Sequence, residues 1–232
     1  AGAAVLTFVP SSKSNTKIFS FSVAKKKIAK IYENHQITFY CGCRYSGKKP
    51  DHSTCGYSPR KDHKRAQRIE WEHIVPASEL AKNTPAWYRG HSDCVKSNGR
   101  RFKGRKCARK VDETFRLMES DLYNLVPAIG EVNGRRSNYR FGEIKGEPRE
   151  FGQCDFEVRS KVAEPHPGIR GDIARVYLYM ARAYRREFYP PRKIFKMMQK
   201  WADSDPSDKW ECNRTKLIEQ VQGNRNAVTY AA

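Results

Sequence analysis

The stretch that most constrains this chain is "RIEWEHIVPA", Arg68 to Ala77. Apolar and polar residues alternate through it, the period of a half-buried strand. In a regular strand Ile69, Trp71, His73 and Val75 share one face, while Glu70, Glu72 and Ile74 share the other. Glu72 and His73 therefore point apart. If they serve one site, the backbone must leave ideal strand geometry near His73, or the site must sit where this strand meets a following helix. "DLYNLV" reads as a second short strand. Pro127 is expected to open the helix after it, because proline suits the first helical position. Strand, turn and helix then bring Asn133 back toward Glu72. Gly130 and Gly134 lie four apart on that helix; they weaken it, but leave a face that backbone or substrate can approach.

The remaining pattern is mixed. "SFSVAKKKIAKIYENH" places Ala24, Ile28, Ile31 and Tyr32 on one helical face. "ITFYC" and "FGQCDFEVR" read as strands, and Asn83 to Lys110 as a long basic loop. "GDIARVYLYMARAYRREF" is a helix, with two more expected around Ile194–Trp201 and Trp210–Gln222. Short strands interspersed with helices imply an α+β fold. No repeat or linker divides the chain, so residues 1–232 are read as one domain, with 1–18 as a flexible arm.

Composition narrows the function. The chain has 232 residues, with 45 Lys and Arg against 25 Asp and Glu, a net charge of +20. That excess is spread along the chain and calls for a polyanionic partner. Nucleic acid leads and an anionic membrane surface follows. No run of 18 apolar residues exists to span a bilayer. The seven cysteines are Cys41, Cys43, Cys55, Cys94, Cys107, Cys154 and Cys212. They lie in loop-like sequence without a CxxC pair, which favours disulfides in an oxidising compartment over zinc. Cys41 and Cys43 would share a strand face, and the odd count leaves one thiol free or intermolecular.

Phosphodiester hydrolysis needs an activated water, charge at the phosphate and help for the leaving oxygen. A neutral histidine is a suitable base. A hard cation takes oxygen ligands, which Glu72 and an amide, Asn124 or Asn133, can offer. Either feature alone reads as ordinary surface; "EHIVP" followed by "NLVPAIGEVN" is more specific.

That order of His, Asn and Asn resembles the ββα-metal (HNH, His-Me finger) nuclease motif. From about Phe21 to Asn226 the chain resembles the bacterial endonuclease I family of periplasmic and secreted nucleases. "FYCGC", "CGYSPRK", "RIEWEHIVPA", "GRKC", "RLMESDLYNLVPAIGEVNGRRSN", "ARVYLYM" and "WECNR" occur in that family's order. The resemblance implies His73 as general base. It implies Glu72 and Asn133 as ligands of one Mg2+, with Ca2+ or Mn2+ as substitutes. Asn124 would tie the motif's loops, Glu119 would be an acidic neighbour, and Arg105 would hold phosphate. Arg100, Arg101, Lys106, Arg135 and Arg136 would contact nucleic acid. It further implies a periplasmic or secreted monomer, not bound to membrane. Such an enzyme cuts DNA and RNA with little sequence preference, to 5′-phosphate and 3′-hydroxyl ends.

Three features depart from the family pattern. The Cys94–Cys107 loop carries an extra "NGRRF", which makes Arg100 or Arg101 a rival to Arg105. An eighth cysteine near the C-terminus is missing, and Ala227 stands where proline is usual. The competing classes are a non-catalytic nucleic-acid-binding protein, which has no need of Glu72, His73 and Asn133 together, and a cationic membrane-active protein, which needs an exposed amphipathic basic helix.

Overall fold

The computed structural model describes residues 13–61, 63–146 and 148–229. The helices among them are α1 (Phe21–Ile31), α2 (His63–Ala66), α3 (Ala77–Leu80), α4 (Pro85–Tyr88), α5 (Arg105–Val111), α6 (Glu113–Glu119), α7 (Gly130–Arg136), α8 (Arg170–Ala183), α9 (Arg192–Ser204) and α10 (Lys209–Gln222). The strands are β1 (Tyr45–Ser46), β2 (Lys49–Pro50), β3 (Ile69–His73), β4 (Leu125–Ile129), β5 (Arg140–Phe141), β6 (Phe156–Arg159) and β7 (Val162–Pro165). They form an antiparallel β1–β2 pair, an antiparallel β3–β4 pair, and a three-stranded sheet in the order β5-β7-β6. The α+β class holds. No helix is long and apolar enough to cross a membrane among the described residues.

The β3–β4 pair runs in register from Ile69↔Ile129 to His73↔Leu125. Pro127 lies inside β4 opposite Trp71, and the helix begins three residues later at Gly130. The expected Pro127 start therefore fails. Gly130 N–H bonds Arg68 O and Ile74 N–H bonds Asn124 O, so ladder bonds fall on alternate positions. Pro127 sits between them, where its missing N–H removes no bond to β3, and its carbonyl accepts from Phe39 N–H at 2.7 Å. The β-branched and leucine side chains of β4 are buried, and the strand is covered on both faces.

Helix α8 is central: Ile173 through Ala181 are all buried. Trp201 and Met198 of α9 join the same apolar core. Arg214 of α10 donates to the carbonyls of Leu122, Tyr123 and Leu125 and pins the entry to β4. Asp121 accepts from the Tyr179 and Tyr184 hydroxyls and from Gln222, so its buried charge is hydrogen-bonded.

Other expectations change. "ITFYC" is a turn rather than a strand: Gly42 takes φ +67°, and Gly42 N–H bonds Thr38 O. Cys41 and Cys43 leave that turn for different partners, forming Cys41–Cys154 and Cys43–Cys55. Cys94 pairs Cys107, and Cys212 is a half-buried free thiol. Cys41–Cys154 spans 113 residues and ties the turn beside β4 to the start of β6. The supposed long loop 83–110 holds α4 and the start of α5. Of the supposed arm, residues 1–12 lie outside the described residues, whereas Asn15 and Ile18 are buried. Asn15 donates to Ile18 O and Leu117 O, so residues 13–18 are not a loose arm.

Candidate active site

The end of β3 delivers Glu72 and His73 to one open cleft of about 360 Å³, lined also by Phe21, Trp71, Trp87, Arg105 and Asn133. The β3 ladder stays regular through His73, and the chain bends only at Ile74 and Val75. The conflict between opposite strand faces is resolved by side-chain reach rather than by a distorted strand. Glu72 folds back so that Oε2 accepts its neighbour's own His73 N–H at 3.1 Å.

Glu72 is nearly fully buried, and burial pushes its carboxyl above the ordinary value, with the Arg136 guanidinium opposing. Arg136, also buried, donates Nη1 to Glu72 Oε1 at 2.9 Å and to His73 O at 2.8 Å, and Nη2 to Ile74 O. Its guanidinium stacks on Phe141, 4.6 Å from the ring centroid. Arg136 is therefore no nucleic-acid contact; it is the internal counter-charge that lets Glu72 be buried. Arg135 is likewise committed inward, with a two-point pair to Glu150 and a bond to Val158 O.

His73 is fixed by a backbone carbonyl. Its Nε2 lies 2.8 Å from Glu119 O. A carbonyl only accepts, so Nε2 carries the proton and Nδ1 keeps the lone pair. The ring packs on Phe21 at 4.8 Å between centroids. Burial, with the nearby Arg105 charge, pushes the imidazole down to about 4. It is thus neutral, and able to take a proton, throughout the physiological range.

Glu119 serves the cleft twice. Its carbonyl orients His73, and its buried carboxylate binds Nε of both Arg105 and Arg109. Those arginines are one turn apart on α5, and both guanidinium groups also lie over the Phe21 ring. Arg105 lines the cleft, and its Nη2 is buried with no hydrogen-bond partner among the described residues. Arg100, Arg101 and Lys106 are exposed, and Arg101 lines a separate hollow beside Arg89 and His91. Arg109 escaped the sequence reading, although its i+4 spacing from Arg105 was visible. Phe21, Trp71 and Trp87 carried no signal.

Asn124 is buried and bridges the two strands' ends: Oδ1 accepts from Val75 N–H at 2.7 Å, and Nδ2 donates to Val75 O at 3.0 Å. Asn133 projects from α7 into the cleft and donates Nδ2 to Glu70 Oε2 at 2.9 Å. Glu70 is held in turn by Arg65 and Arg68. Arg65 lies on the glycine face of α7, where a Cβ on Gly134 would collide with its guanidinium and one on Gly130 with its carbonyl. The approach permitted by the two glycines is thus made by the protein's own arginine.

The donor set can be tested for a cation. A carboxylate offers about four lone-pair sites. Tyr40 and Arg136 use Glu72 Oε1, and His73 N–H uses one site on Oε2, leaving another there. Asn133 spends its nitrogen on Glu70, so Oδ1 keeps its accepting capacity. One carboxylate and one amide oxygen suit a hard divalent ion that retains water, so these residues fit Mg2+.

The model of the family described as Endonuclease I matches residues 11–229. An extracellular deoxyribonuclease of Aeromonas hydrophila is 44% identical over 89% of this chain and 87% of its own length. A periplasmic deoxyribonuclease of the same organism is 42% identical over 89% and 84% respectively. Endonuclease-1 of Buchnera aphidicola subsp. Acyrthosiphon pisum (strain APS) is 40% identical over 92% and 81%. A match of this extent, together with a cleft built from the same sequence blocks, places the chain in the endonuclease I family.

Proposed function

We propose that this protein is a sequence-nonspecific endonuclease. It hydrolyses phosphodiester bonds in DNA, and in RNA, to 5′-phosphate and 3′-hydroxyl ends. The observation that carries the reading is the state of His73: a neutral ring, locked by Glu119 O so that Nδ1 is basic, in one cleft with Glu72, Asn133 and Arg105. The deoxyribonuclease relatives support DNA as substrate.

His73 Nδ1 takes the proton of the attacking water. Arg105, braced at Nε by Glu119, presents the exposed part of its guanidinium to the scissile phosphate. Arg136 places its counter-charge on Glu72, and Glu70 keeps the Asn133 amide turned. Glu72 and Asn133 would hold Mg2+, which would supply positive charge to the phosphate in the transition state, and the departing 3′ oxygen would take its proton from water. One carboxylate and one amide suit a single ion. Affinity comes from phosphate contacts, which carry no sequence information. The deoxyribonuclease relatives named extracellular and periplasmic, and the three disulfides, support export to an oxidising compartment, where we read the protein as a monomer.

Plasmid digestion tests the reading. Wild type should nick and linearise plasmid with Mg2+ and stop in EDTA, while His73→Ala binds DNA without cutting. Full activity in chelator excludes the metal, wild-type cutting by His73→Ala excludes the base, and binding without any cutting by wild type returns the protein to a non-catalytic nucleic-acid binder.

A further inference from the structure

A second cationic region lies where α8 ends and α9 begins. Arg182, Arg185, Arg186, Arg192, Lys193 and Lys196 are all exposed. None of them makes an ion pair among the described residues. Helix α9 opens with Arg192 and Lys193 and has no acidic residue in its first turn, an arrangement that opposes the helix dipole. Stability does not favour such a placement, so an anionic ligand is the natural counterpart.

An aromatic ring sits among these cations. Tyr189 is 58% exposed and stacks on Phe195, with centroids 5.1 Å apart and planes 22° from parallel. Pro190 and Pro191 follow it and stiffen the turn that presents it. One ring face is covered by Phe195, and more than half of the residue stays open to solvent. At the end of α8 runs an open groove of about 990 Å³ whose lining includes Lys13, Arg182, Arg185, Arg186 and one acid, Glu187, with the hydroxyls of Ser14 and Thr16. The region abuts the catalytic cleft: Ser78 lines the cleft, and Asn83, five residues on, donates to Glu187 O at 3.0 Å. Five residues of chain bridge at most about 18 Å.

We propose that this surface binds a single-stranded flank of the nucleic-acid substrate, its cations following the phosphates and Tyr189 stacking a base. The inference rests on the nuclease reading above. An exposed aromatic ring flanked by cations is the usual device for single strands, because every base has a π-face. A membrane fits less well. The apolar side of α9, Met198 and Trp201, is buried in the core, so no apolar face is left to enter a bilayer.

Binding is measured by fluorescence anisotropy in EDTA, with a long single-stranded oligodeoxynucleotide and with a short one that spans only the cleft. The variant R185A/R186A/K193A should bind the long strand about tenfold more weakly, with a salt slope lower by about 2, from three lost contacts at ~0.7 each. Tyr189→Ala should cost roughly tenfold on the long strand, and Tyr189→Phe nothing. The short strand should be bound equally by all. Wild-type affinity and slope in the triple variant overturn the proposal, as does equal loss on both strands. Loss of binding to vesicles of phosphatidylglycerol, with oligonucleotide binding intact, overturns it in favour of a membrane surface. If wild type cuts plasmid and the triple variant binds the long strand as wild type does, only this surface is refuted. If wild type neither binds nor cuts, the nuclease reading falls and takes this surface with it.

Discussion

Around the cleft the arginines are tied: Arg136 to Glu72, Arg105 and Arg109 to Glu119, Arg65 and Arg68 to Glu70. Between Arg182 and Lys196 the exposed cations are unpaired. Both regions are basic, yet their charge does different things. In the cleft each guanidinium is spent partly on a carboxylate that fixes its direction, which suits a site that must meet one phosphate at one angle. On the α8–α9 surface the cations keep their conformational freedom, which suits a mobile strand and gives affinity without orientation. The net charge of +20 hides this division.

The sharpest way to break this contrast is at the base. His73→Ala should lower kcat by roughly 10²–10⁴-fold with little change in DNA affinity, read from single-turnover cleavage and anisotropy. A cation on the α8–α9 surface should do the reverse, changing affinity and sparing kcat.

Arg136→Met comes next. It leaves Glu72 buried without its counter-charge, and chemical denaturation should show a loss of about 3–5 kcal/mol. A loss of only about 1–2 kcal/mol would mean that Glu72 needs no counter-charge and that Arg136 serves mainly the carbonyls of His73 and Ile74.

The pH dependence of stability sharpens the cleft side further. His73 is pushed down to about 4 in the folded state, against an ordinary value of 6.5. The unfolded chain therefore takes its proton first as pH falls. The contribution is whole above pH ~6.5 and is lost as pH drops toward 4, up to roughly 3 kcal/mol for a shift of this size. Glu72, pushed up by burial, works in the opposite sense. The histidine's share is thus the difference between wild type and His73→Asn in melting curves taken in EDTA. Parallel curves would mean that the imidazole is solvated and not locked on Glu119 O.

The smallest effect belongs to the other region. Lys196→Ala should change stability by no more than about 0.5 kcal/mol, since the side chain is exposed and unpaired. A larger change would show that this surface is structural after all.

Much of the site was legible in the order of residues. Strand alternation located β3, and the spacing of His73, Asn124 and Asn133 matched a known motif. The periodicity of α8, α9 and α10 was visible because each buries one stripe or more of apolar side chains. Pro127 misled because proline favours two contexts, a helix start and a non-bonded strand position, and only pairing with Trp71 chooses between them. "ITFYC" misled because Gly42 and two disulfides, whose partners lie far along the chain, overrode local strand propensity.

The amino-acid sequence by itself determined the class of fold, the basic charge that calls for a polyanionic partner, and the set of chemically able side chains, since these follow from composition and short-range pattern. Tertiary structure alone decided which arginine faces the cleft and which is interior. Arg105 and Arg136 are the same residue type in equally basic stretches. One is aimed at the cleft by Glu119 and the other is buried on Glu72, because each was claimed by a carboxylate that folding brought beside it.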